Sequence, residues 1–194
     1  FKILMKNKLI SQSFIKLSKK KDLIILLPLT LEIFQFSYQN VKDLRSKFME
    51  YNIDAVSKLL KNLNKSFTIL VMPHPSDSIS FENKKIKYSE FIKNLTKRLK
   101  IKYKDVIYLG EYINAPNAIE ISYELFELML SPKILLASYP SATLVTSKLK
   151  PKSKFLVNFK SRGYTKNLFN KSSNYLDLIE KNKIANKFFK IIDI

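Results

Sequence analysis

Residues 67–75 read Phe-Thr-Ile-Leu-Val-Met-Pro-His-Pro (FTILVMPHP). A short, continuously apolar run stopped by proline suits a strand buried on both faces, because a strand with one wet face would alternate. The same signal recurs on either side. Upstream, Leu23–Leu27 (LIILL) is stopped by Pro28. Downstream, Val106–Leu109 (VIYL) exits at Gly110, Lys133–Ala137 (KILLA) runs into Ser-Tyr-Pro-Ser, and Phe155–Val157 starts a fifth strand.

Helical periodicity fills the gaps. After a long polar loop, Asn52–Leu63 places Ile53, Val56, Leu59, Leu60 and Leu63 on one face, with Asp54 in the first turn, where the helix dipole favours a carboxylate. Tyr88–Leu99 turns Phe91, Ile92, Leu95 and Leu99 inward. Glu120–Leu130 and Ser141–Ser147 read as further helices, and a lysine-rich helix near Tyr175–Phe189 closes the chain. Buried strands alternating with helices imply crossover units and a parallel sheet. The expected fold class is therefore α/β, a Rossmann-like parallel sheet with helices on both faces. The expected layout is a connector, or the end of a missing N-terminal domain, over 1–21 and one Rossmann-like domain over 22–194.

Composition removes whole classes of function. At 194 residues and 46% hydrophobic, the chain can bury a real core and is not a charged, disordered tail. No apolar run approaches the roughly 20 residues of a membrane-spanning helix. The absence of cysteine excludes disulfides and thiolate chemistry, and a single histidine, His74, excludes a histidine-rich metal cluster. The only two glycines cannot supply a G-x-G-x-x-G fingerprint or a Walker A loop. The net charge of +19 favours anionic partners, yet it is almost all lysine, with arginine only at 45, 98 and 162. Readers of bases lean on arginine forks, so nucleic acid is not the expected partner.

In open α/β sheets ligands bind outside the carboxyl ends of the strands. That rule selects Pro73–Ser76, Gly110-Glu111, Ser138–Ser141 and Asn52–Asp54. His74 sits between Pro73 and Pro75, which fix its backbone, so a donor or general acid is presented there at low entropic cost. Ser141 is placed to cap a helix, and helix amides with a serine hydroxyl make an anion site that Ser138 can join. Glu120 and Glu124 are one turn apart, and either carboxylate can accept two ribose hydroxyls. Asp54 is the candidate general base.

Taken in order, ILVMPHP, VIYLGE, AIEISYELFELML and KILLASYPSATL resemble the donor-binding half of bacterial sialyltransferases. The similarity is to glycosyltransferase family 52 and the capsular polysialyltransferases, over about residues 22–160. Where that family pairs two serines, this chain has Pro140-Ser141, and its paired-acid-glycine motif is absent. The resemblance implies half of a GT-B enzyme that is inverting and metal-independent and needs no cofactor. Its donor would be CMP-sialic acid and its acceptor a surface glycan, either lipooligosaccharide or capsular polysaccharide. It implies that His74, with Pro75, meets the CMP phosphate, that Ser138 and Ser141 hold the same phosphate, that Glu120 or Glu124 holds the ribose, and that Asp54 is the base. The expected location is cytoplasmic, with peripheral association at an anionic inner-membrane surface, and there is room for a homodimer. Two other classes stay open: a surface-polymer transferase with a different nucleotide-activated donor, and a non-enzymatic basic module that binds anions.

Overall fold

The computed structural model describes residues 12–28, 41–63, 66–72, 85–109, 129–137, 153–158 and 190–193. The elements among them are α1 (Gln12–Ser18), β1 (Leu23–Leu27), α2 (Val41–Lys61), β2 (Thr68–Val71), α3 (Lys85–Lys102), β3 (Val106–Tyr108), β4 (Ile134–Ala137), β5 (Ser153–Asn158) and β6 (Lys190–Asp193). The fold is α/β, as the sequence predicts. The chain forms two compact units, one from Phe1–Pro28 and Ser66–Lys133, the other from Leu29–Lys65 and Ile134–Ile194.

In the first unit three parallel strands lie in the order β3-β2-β1, with Leu23 opposite Thr68 and Ile69 opposite Val106. All five residues of β1 and all four of β2 are buried. This is the pattern of strands covered on both faces. Helix α3 packs on β3 through an inner stripe of Ile92, Leu95, Thr96 and Leu99. The buried Thr96 hydroxyl is satisfied by donating to the carbonyl of Ile92 at 2.8 Å. Helix α1 buries Phe14 and Leu17, so this part of the expected connector contributes to the core. Ser131 follows the helical pair 129–130 with φ at 47°, the left-handed conformation in which a chain often leaves a helix and which a side chain makes costly.

The second unit has β4, β5 and β6 parallel in that order, with Leu136 opposite Phe155 and Phe155 opposite Lys190. Helix α2 packs against β6.

The helices are longer than their periodicity suggests. Helix α2 starts at Val41, so part of the segment read as a polar loop is helical and Asn52 is interior rather than at the start. The buried set Met49, Tyr51, Ile53, Val56 and Leu59 shows why: apolar spacing continues upstream through a charged stretch. Helix α3 likewise extends past Tyr88–Leu99 at both ends. The final described element is a strand, β6, which follows the helix expected near 175–189. That helix, the one at 141–147 and most of the one at 120–130 lie outside the described residues. Among the described residues no helix is long and apolar enough to cross a membrane.

Candidate functional site

Asp54 is the one predicted site residue with a described position. It is half-buried in the body of α2. At 1.5 Å per residue it lies about 20 Å along the helix from Val41. The helix-start dipole that the sequence suggests for its carboxylate therefore does not act on it, because that effect fades within the first turn. Lys58 follows Asp54 by four residues, the spacing at which opposite charges on a helix support one another.

The other predicted residues, His74, Pro75, Glu120, Glu124, Ser138 and Ser141, lie outside the described residues. Their strands, however, are in place. The parallel strand β2 ends at Val71, and the Pro73-His74-Pro75 segment follows Met72 in the chain. β4 ends at Ala137, and Ser138 is the next residue. Each motif thus continues the chain from the carboxyl end of a parallel strand, where α/β proteins gather ligand-binding groups.

The second unit contains a groove of about 330 Å³ lined by Lys58, Leu59, Asn62, Leu63, Phe155, Lys190 and Ile192. The end of α2 forms one wall. Lys190 and Ile192, two apart on β6, and Phe155, the register partner of Lys190, form the other. The Asn62 amide donates to the carbonyl of Lys58 at 3.3 Å, which closes the last turn of α2. The Lys190 ammonium is 6.0 Å from the Phe155 ring centre, at the limit of a cation–π contact. Apolar walls with two exposed ammonium groups suit an anionic molecule with an apolar body better than a neutral sugar. Lys190 and Ile192 are the first and third of the four residues of β6, and Phe155 is the third of six in β5, so the groove runs along these strands. Sequence reading misses the groove because its walls come from segments more than 90 residues apart.

At the amino ends of β1, β2 and β3 a small polar cluster ties the first unit together. Lys20 donates to Asp105 at 2.6 Å and to the Thr68 hydroxyl at 3.0 Å, and Thr68 also donates to Asp105. Partial burial raises the Asp105 pKa, but the hydrogen bonds from Lys20 and Thr68 and the lysine charge outweigh it, so the carboxyl is held below its usual value. Beside it Lys133 donates to Asp22 at 2.8 Å, and its ammonium lies 5.7 Å from the Phe67 ring centre. Both acids are paired with lysine. This is a staple across strand starts, and nothing in it is poised to move a proton.

Among the described residues no group of three or more histidine, aspartate or glutamate side chains could hold a metal ion. No protein-family model matches the chain, and no curated protein does.

Proposed function

We propose that this chain is the donor-binding half of a GT-B glycosyltransferase that moves sialic acid from CMP-sialic acid to a surface glycan. The supporting observation is the order of its motifs along an α/β chain. An HP motif follows β2, a glutamate-bearing segment comes next, and a serine motif follows β4. Parallel strands leave such segments at their carboxyl ends, and a phosphate there is met by neutral donors and backbone amides.

In the proposed reaction an acceptor hydroxyl oxygen bonds to the anomeric carbon as the bond from that carbon to the CMP phosphate oxygen breaks. CMP leaves with the electron pair, and a base takes the hydroxyl proton. His74 and Ser141, joined by Ser138, stabilise the charge that grows on the leaving phosphate, and Glu120 or Glu124 holds the ribose. Asp54 is the candidate base, but its mid-helix position gives it less support than the leaving-group residues have. The proposed place of work is the cytoplasmic face of the inner membrane.

The test is thermal protection by nucleotides. CMP at about 100 times its Kd would stabilise the chain by about 2.7 kcal/mol, and UDP or CDP-glycerol would not. His74→Ala and Ser141→Ala would each weaken CMP protection, while Asp54→Asn, a change to the candidate base rather than to a phosphate ligand, would leave it intact. Protection by UDP or CDP-glycerol alone would replace the sialic-acid reading with that of a transferase for another surface polymer. No protection by any nucleotide would overturn both.

A further inference from the structure

We propose that the outer face of α3 docks the protein on an anionic lipid surface. Over Lys85–Lys102 the helix carries seven basic residues and one acid, Glu90. Lys93, Lys97, Arg98, Lys100, Lys102 and, just past the helix end, Lys104 are all exposed. Lys93, Lys97 and Lys100 are spaced by four and three residues, so they share one stripe that flanks the buried face of Ile92, Leu95 and Leu99, and Ile101 stands opposite that face. Among the described residues none of Lys93, Lys97, Arg98, Lys102 and Lys104 forms an ion pair. The described aspartates of this unit, Asp22 and Asp105, pair with Lys133 and Lys20 and not with these residues.

Within the stripe stands an isoleucine. Ile101 is 84% exposed. It follows Lys97 by four residues and Arg98 by three, so it lies between their side chains at the middle of the outer face. Water is a poor place for that side chain, and like charges packed around it gain nothing from one another. An interface of anionic headgroups over acyl chains satisfies both, because each lysine or arginine gains headgroup attraction while the isoleucine leaves water. Nucleic acid fits less well. The stripe has one arginine and no aromatic residue on which a base could stack.

Docking through α3 is independent of the proposed transfer reaction, and its test needs no nucleotide. The full chain is mixed with vesicles of phosphatidylglycerol or of phosphatidylcholine, and the bound fraction is measured at rising salt. Binding is expected on the anionic vesicles alone and should fall steeply with salt. Changing Lys93, Lys97 and Arg98 together to Gln should weaken it roughly 100-fold. Changing Lys47, Lys58 and Lys61 of α2 to Gln, an equal loss of charge, should change it less than about threefold. Because the chain contains no tryptophan, Ile101→Trp gives a single reporter whose emission should shift to the blue on phosphatidylglycerol only. Circular dichroism checks that each variant is folded. Equal losses from the two triple variants, emission from the Ile101→Trp variant that does not respond to vesicles, or binding to a single-stranded RNA in preference to vesicles would each overturn the proposal.

Discussion

Helices α2 and α3 each bury an apolar inner face but present outer faces of different charge pattern. On α2 the exposed and half-buried stripe runs Lys47, Glu50, Asp54, Lys58 and Lys61, with both signs within one turn of each other. On α3 the last three turns of the corresponding face carry Lys93, Lys97, Arg98 and Lys100 and no acid, with Ile101 set among them, and the helix's one acid is Glu90, a turn upstream. Both helices belong to a chain of +19, so total charge does not distinguish them. The sequence of signs along the surface does. Interleaved charges neutralise each other and need only water, whereas a one-signed face raises the local potential and lowers the stability of its own helix.

The inner faces should prove equivalent, and testing them gives the largest effects. Leu59→Ala and Leu95→Ala each remove a buried side chain from a helix, at a cost of about 3 kcal/mol in denaturant unfolding. A loss below about 1 kcal/mol at one site alone would show that the two helices do not carry comparable cores. The outer faces should then be convertible. Glu50→Lys makes the α2 stripe more nearly one-signed and should strengthen phosphatidylglycerol binding by about fivefold or more. If it has no effect, single-sign patterning is not what draws the protein to lipid.

Asp105 sharpens the comparison from the same unit as α3. Its carboxyl and Lys20 are 46% and 38% exposed, so after allowance for solvent screening the pair contributes at most about 1 kcal/mol. The sign follows from its lowered pKa. The folded chain binds this proton less readily than the unfolded chain, so acid favours unfolding. The contribution is complete above the ordinary carboxylate value near 4 and disappears as pH falls through the lower folded value. Asp105→Asn should therefore unfold more easily than the parent at pH 7 and match it in strong acid. The smallest effect is expected at Lys97→Glu, which breaks the run of like charge on α3. It should stabilise the helix by about 0.3–0.5 kcal/mol while weakening vesicle binding, so a melting curve and a binding curve would move in opposite directions.

Much of the sheet is legible because buried strands carry their signal locally. LIILL gives β1 its bounds with no help from the rest of the chain, and KILLA brackets β4 within one residue. The start of α2 is hidden by Lys42, Asp43, Arg45 and Lys47, which resemble loop composition and mask the apolar spacing around them. β6 escapes notice for a different reason. Its four residues, Lys-Ile-Ile-Asp, are too few to display a period, and their strand character comes from pairing with β5. The Lys20–Asp105 contact spans 85 positions, a separation that no local pattern reports. Of the candidate site, the sequence supplies residue types and order. The described structure supplies the strands that lead into His74 and Ser138 and moves Asp54 from a helix start to a helix middle.

The interleaving of the two units bears on how the chain is made. The first unit takes its segments from Phe1–Pro28 and Ser66–Lys133, and the second from Leu29–Lys65 and Ile134–Ile194. Helix α2 ends at Lys61, yet the strand it packs against begins at Lys190. On the ribosome α2 must therefore wait for this partner strand until Lys190 has emerged. At about 5–20 residues per second that wait is on the order of ten seconds, long enough to make α2 a natural client for a chaperone during synthesis.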